Sequence, residues 1–182
     1  LAVDSGGDVH ISYYDNTNKD LKYATYNGTA WTNTTVDSTG IVGFYTSLAV
    51  DSGGDVHISY YDTTNGNLKS ARYNGTAWQK RVIDSTGNVG RYTSLAVDSG
   101  GDVHISYYDD TNDDLKYATY NGTAWTNTTV DSTGDVGAFT SLAMDSGGDV
   151  HISYYDNTND DLKYATYNGT AWTNTTVDST GD

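Results

Sequence analysis

A 47-residue period, four strand-like segments in each period and turn residues between those segments predict an all-β fold of four-stranded antiparallel blades, a β-propeller. The string Leu-Ala-Val-Asp-Ser-Gly-Gly-Asp-Val-His-Ile-Ser-Tyr-Tyr-Asp opens at Leu1, returns at Leu48 and Leu95, and returns at Leu142 with Met144 in place of valine. Blades are therefore expected at 1–47, 48–94, 95–141 and 142–182, together one propeller or half-propeller domain. Copies one and three agree at 42 of 47 positions and copies one and two at 35 of 47, which points to recent duplication or deliberate design and leaves both open.

Within the first copy, the opening strand is Leu1–Asp4, preceded in later copies by Tyr-Thr-Ser or Phe-Thr-Ser. Ser5–Asp8 supplies a turn, because Gly and Asp relieve or cap tight backbone geometry. Val9–Tyr14 alternates: Val9, Ile11 and Tyr13 share one face, and His10, Ser12 and Tyr14 the other. Asp15–Asp20 is a second turn and Leu21–Tyr26 a third strand. Asn27-Gly28 reads as a two-residue hairpin signal, since both residues tolerate positive φ. Trp31–Val36 is the fourth strand, and Asp37–Ser47 crosses to the next copy.

Apolar or aromatic groups on both strand faces suit a blade packed between two neighbours rather than a sheet with one wet face. The fourth strand changes from Thr-Asn-Thr-Thr-Val to Gln-Lys-Arg-Val-Ile (Gln79–Ile83) in copy two, as an exposed outer strand tolerates, while the opening strand hardly changes, as an inner rim demands. A solenoid or open hairpin array is the reserve fold. Four blades close alone, a second chain completes an eight-bladed ring, or the chain is part of a larger ring or longer array; no strand is exchanged between the ends to lock a four-bladed ring. Head-to-tail association into a homo-oligomer is expected.

Composition narrows the class. Cysteine and proline are absent, excluding disulfides and cysteine zinc sites. All 24 acidic residues are Asp, and the net charge of −15 opposes nucleic acid and anionic membranes as partners. No apolar run approaches a membrane span, so membrane insertion is not expected. By copy the charge runs −3, +1, −7 and −6; Lys69, Arg72, Lys80, Arg81 and Arg91 make copy two basic. These charges read either as drift on a solvated face or as a contact with an acidic neighbour, such as copy three or four of another chain.

The Leu1–Asp15 segment resembles the repeats of NHL-type and related bacterial and archaeal propellers, which carry a small-apolar-Asp inner strand, an Asp-Gly turn and an apolar second strand. Tyr26–Trp31 resembles a degraded Asp-box, matching its Gly28 and Trp31 but placing Tyr26 where the Asp belongs. Both resemblances imply a propeller blade and neither implies an activity.

Four residue sets carry candidate chemistry. His10, His57, His104 and His151 recur, but on a second strand, too far from the axis to converge on a metal. A structural role with Ser12 or a turn Asp as partner is expected. Asp156, Asp160 and Asp161 make the richest oxygen cluster for Ca²⁺, though without EF-hand spacing, and no cofactor is otherwise expected. Trp31, Trp78, Trp125 and Trp172, with Asn27, Asn74, Asn121 and Asn168 beside them, offer stacking and hydrogen bonds for a sugar. Each of those Asn also heads a glycosylation sequon, as do Asn33, Asn127 and Asn174.

Near-identical blades supply no single asymmetric constellation, so no enzyme is expected. The leading expectation is a scaffold for self-assembly or protein interaction, outside the cell or on its surface, or a designed chain; the alternative is a multivalent carbohydrate-binding propeller.

Overall fold

The computed structural model describes residues 1–180. The first blade holds β1 (Ala2–Val3), β2 (Val9–Asp15), β3 (Asp20–Tyr26) and β4 (Trp31–Asp37). The second holds β5 (Val42–Val50), β6 (Val56–Asp62), β7 (Asn67–Tyr73) and β8 (Trp78–Asp84). The third holds β9 (Val89–Val97), β10 (Val103–Asp109), β11 (Asp114–Tyr120) and β12 (Trp125–Asp131). The fourth holds β13 (Val136–Met144), β14 (Val150–Asp156), β15 (Asp161–Tyr167) and β16 (Trp172–Asp178). Each sheet runs in sequence order, every pairing is antiparallel, and no helix long and apolar enough to cross a membrane occurs among the described residues.

Local chemistry explains the turns. Asp4 Oδ1 accepts from Gly6 N and Asp8 N, both at 2.9 Å, and Asp15 Oδ1 accepts from Thr17 N at 2.9 Å. Asn27 Oδ1 accepts from Thr29 N and Ala30 N, and Gly28 takes φ +82°. The Asn-Gly pair therefore sits inside a four-residue loop instead of forming a two-residue hairpin, because the Asn side chain closes the wider turn itself.

The crossing segment differs from the expected connection. Most of Asp37–Ser47 is strand: β5 starts at Val42, six residues before the expected opening strand at Leu48. Register shifts fall between Val42 and Phe44 and between Phe44 and Ser47, with Gly43 at φ +105° and Tyr45 at φ +52°. Those bulges re-aim the side chains and hide the period of two. Tyr45, Tyr92 and Phe139 all sit at positive φ, and their rings follow one another along the inner strands at 4.7 and 4.5 Å between centroids. The ring contacts offset a backbone conformation that costs about 1–2 kcal/mol for an L-residue.

Inner strands pack in succession, β5 on β9 and β9 on β13, while the outer strands expose their middles. One core cluster fills each junction between blades. At the first, Leu21, Tyr23 and Val36 of the leading blade meet Val56, Ile58 and Tyr60 of the following one. A buried polar clip accompanies each cluster. Asp37 Oδ2 accepts from Tyr60 OH at 2.8 Å and Lys69 Nζ at 2.6 Å, and Asp84 and Asp131 receive Tyr107 with Lys116 and Tyr154 with Lys163.

Burial pushes the carboxyls of Asp37, Asp84 and Asp131 upward, but the lysine and tyrosine hydrogen bonds outweigh it and hold all three below the usual carboxylate range. Burial, with the neighbouring carboxylates, raises Tyr60, Tyr107 and Tyr154. The signs follow from linkage. Depressed carboxyls stabilise the fold above about pH 4, and that stability is lost as pH falls through their folded values; raised phenols stabilise it below about pH 10 and lose that as pH rises. Thermal unfolding followed by circular dichroism should show a plateau from pH 5 to 9 with a decline on either side. A melting temperature unchanged down to pH 2 would contradict this.

Candidate functional site

The four recurring histidines are held alike by strand pairing on β2, β6, β10 and β14. His10 Nδ1 meets Tyr23 OH at 2.5 Å, and His104 and His151 meet Tyr117 and Tyr164 in the same way. The other ring nitrogen faces the turn Asp: His57 Nε2 lies 2.9 Å from Asp51 Oδ2, and His10 Nε2 lies 3.3 Å from Asp4 Oδ2. The expected turn Asp is thus a hydrogen-bond partner of His57 and His104 and lies within ion-pair distance of His10 and His151 without a hydrogen bond, and the tyrosine is a second partner that the sequence did not suggest. Ser12 is not a histidine partner; it accepts from Thr46 Oγ1 of the next blade at 2.8 Å.

Copy two breaks this pattern at one residue. Ser70 stands where the other copies have Tyr23, Tyr117 and Tyr164. In those copies the phenol fills the junction between blades: Tyr23 packs edge-on against Trp78 at 5.2 Å, and Tyr117 against Trp172 at 5.1 Å. Burial raises the Tyr117 phenol to about 12, so it stays a neutral donor toward His104. With Ser70 instead, Trp125 loses its partner across the junction, and His57 Nδ1 has no hydrogen-bond partner among the described residues. The Nε2 contact to Asp51 assigns the proton to Nε2, which leaves Nδ1 as an acceptor in the neutral ring.

A cavity of about 180 Å³ occupies the vacated space, where roughly 10–15 Å³ suffices for one water. Its floor reaches Ile58, Ala71 and Leu95, and its walls include Trp125, Tyr120 and Gln79. Three further departures of copy two line it, Arg72, Gln79 and Arg81, where copies one, three and four carry threonine. Arg72 is engaged by Asp55 through both Nε and a terminal nitrogen. Arg81 makes no ion pair among the described residues, and its guanidinium carbon lies 5.8 Å from the Tyr120 ring centroid. At the next junction the same groove spans about 490 Å³, but it lies open, stops at Tyr117 and is bordered by threonines.

The remaining basic residues of copy two have partners in this chain. Lys80 Nζ donates to Asp37 Oδ1 of the first blade at 2.9 Å, and Arg91 donates to Asp110 of the third at 2.6 Å. The acidic neighbour anticipated from the charge pattern is therefore within the same molecule.

Of the residues expected to hold a sugar, the structure brings only Trp125 to the deep cavity. Trp78 and Trp172 pack against the tyrosine of the preceding blade, and Trp31 is half exposed. Asn27, Asn74, Asn121 and Asn168 lie at hairpin tips with Oδ1 occupied by backbone donors. At the proposed Ca²⁺ turn, Asp156 Oδ1 accepts from Thr158 N and Asn159 N, while Asp160 accepts from Tyr155 OH. Among the described residues, no three His, Cys, Asp or Glu side chains come together in a way that would hold a metal ion.

No family model matches this chain, and no curated protein is similar to it. Solved structures do resemble it. An ulvan lyase of a polysaccharide lyase family, bound to a glucuronate–sulfated rhamnose unit, matches with TM-score 0.65 and 14% identity over 95% of this chain and 56% of that one. A Hadza microbial sialidase matches with TM-score 0.68 and 14% identity over 98% and 46%. A variant of the Aleuria aurantia lectin, in complex with a fucose–N-acetylglucosamine disaccharide, matches with TM-score 0.59 and 14% identity over 95% and 62%. The chain thus spans about half the length of the propellers it matches, and at these identities what it shares with them is the β-propeller fold.

Proposed function

We propose that the chain is a non-enzymatic carbohydrate-binding propeller whose principal site is the cavity between its second and third blades. One observation carries the reading. Ser70 removes from this junction a six-membered ring and a hydroxyl, and leaves behind a tryptophan face and an unpartnered histidine nitrogen. A pyranose restores both features: its C–H face stacks on Trp125, and a ring hydroxyl donates to His57 Nδ1 where a phenol does so elsewhere. Gln79 and Arg72 stand ready for further hydroxyls, and Arg81 supplies an uncompensated positive charge at the rim, which favours a sugar bearing carboxylate or sulfate. Binding rather than cleavage is supported by the His57–Asp51 pair, whose counterparts recur in every blade and so belong to the fold.

A glycan array followed by calorimetric titration of the best ligand tests this. Ser70→Tyr rewrites the site to the residue of the other three copies, so it should fold normally and weaken binding at least tenfold. Arg81→Ala should cost a charged glycan about tenfold, near 1.4 kcal/mol, and a neutral one much less. An array without binding, or a Ser70→Tyr protein that binds as well as the original, would sink the proposal.

A further inference from the structure

We propose that the deep end of the cavity between the second and third blades is a binding site for small monocyclic phenols, which enter as the ring that copy two lacks. The three junctions inside the chain are built from one set of core residues. Leu48 and Val56 at the first are matched by Leu95 and Val103 at the second and by Leu142 and Val150 at the third. One place differs. Tyr23 and Tyr117, 7% and 6% exposed, belong to the first and third clusters, and Ser70 takes that place at the second.

The surroundings made for the ring are nonetheless kept. Leu95 and Val103 line the cavity, and Trp125 stands where Trp78 and Trp172 meet a tyrosine edge-on at 5.2 and 5.1 Å. His57 also lines it, with Nε2 held by Asp51 Oδ2 at 2.9 Å and Nδ1 left as an acceptor. At the first junction that nitrogen meets Tyr23 OH at 2.5 Å. An interior packed around one side chain and then deprived of it takes up a molecule of the same shape: a core cavity of roughly 150 Å³ left by truncation binds benzene. The cavity here, about 180 Å³, is of that size.

Two details select the ligand. The acceptor at His57 Nδ1 calls for a hydroxyl proton on the ring, because a half-buried polar group covered by plain hydrocarbon loses its hydrogen bond to water. Ser70 keeps the Cβ from which the tyrosine ring extends in the other copies, so a group opposite the hydroxyl would run into the chain. The occupant is therefore a phenol without a para substituent, and not a tyrosine side chain offered by another protein. Only the cavity is shared with the sugar reading; a phenol requires neither Arg81 nor a pyranose.

Calorimetric titration of the full chain with phenol, anisole and 4-tert-butylphenol tests the proposal. Phenol should bind at one site per chain. Anisole keeps the ring but has no proton to donate, and should bind about tenfold more weakly. 4-tert-Butylphenol should bind at least as poorly as anisole, because its para group meets Ser70. Ser70→Tyr should keep the circular dichroism of the parent and lose saturable phenol binding, and phenol should raise the melting temperature of the parent only. No uptake of phenol at millimolar concentration overturns the proposal, as do equal affinities for phenol and anisole or undiminished binding by Ser70→Tyr. Glycan binding beside a blank phenol titration would remove this inference and leave the sugar site standing, and phenol binding beside a blank glycan array would do the reverse.

Discussion

Asp84→Ala is expected to destabilise the stack by about 3 kcal/mol, because it leaves Tyr107 buried without its acceptor and Lys116 with only the longer 3.7 Å pair to Asp109. Asp84 is 4% exposed and Tyr107 0%, so water cannot replace the lost carboxylate without opening the junction. The cost comes from the poorly paired buried charge and the unsatisfied phenol more than from the worth of the pair, since burying two ions forfeits most of what their attraction returns. Asp84→Ala combined with Lys116→Met should therefore be more stable than the single variant. Urea unfolding monitored by tryptophan fluorescence checks both statements. A single variant within 0.5 kcal/mol of the parent would show that the clip is incidental to blade stacking.

Gly90→Ala should be as damaging, for a reason of space and backbone. Gly90 sits at φ +106°, and a Cβ there would lie 2.7 Å from Leu68 Cα of the preceding blade. That neighbour is main chain in a paired strand and cannot step aside as a flexible side chain would. Backbone held in a region that L-residues avoid costs on the order of 1–3 kcal/mol before the clash is counted. Gly43 and Gly137 occupy equivalent places, so the requirement belongs to every junction. Loss of more than about 3 kcal/mol, or failure to accumulate folded protein, is expected for Gly90→Ala, whereas Gly101→Ala, which shares the positive φ (+90°) but whose Cβ meets nothing within 4 Å, should cost only the backbone part, on the order of 1–3 kcal/mol. Equal effects at the two positions would remove close approach as the cause.

Periodicity made the blade legible: repetition placed four strands in each copy, and the changes from Thr-Asn-Thr-Thr-Val to Gln-Lys-Arg-Val-Ile at Gln79–Ile83 placed the last strand outermost. What escaped was the start of the inner strand, because glycine at φ +105° and tyrosine at φ +52° break the alternation on which strand recognition depends. The site escaped for a different reason. Trp31, Trp78, Trp125 and Trp172 and the Asn of each hairpin are legible because they recur, whereas the cavity is lined by a residue that fails to recur. Ser70 is unremarkable alone. Its significance appears only when the same position is tyrosine in three other copies and that tyrosine is seen to fill a junction and satisfy a histidine. Arg72 and Arg81 were visible as charge, but their convergence on one wall depends on strand pairing between β7 and β8. The sequence marks Ser70, Arg72, Gln79 and Arg81 as departures from the other copies, and the fold brings them to one cavity.

The four tryptophans provide a direct reading of where a sugar binds. In a nitrogen–proton correlation spectrum each indole gives one signal, and Trp125→Phe identifies its own by disappearance. Titration with the best glycan should move the Trp125 indole signal, leave that of the half-exposed Trp31 in place, and lose this effect in Ser70→Tyr. Equal movement of all four signals, or an undisturbed Trp125 in the presence of a bound sugar, would contradict a single deep site between the second and third blades.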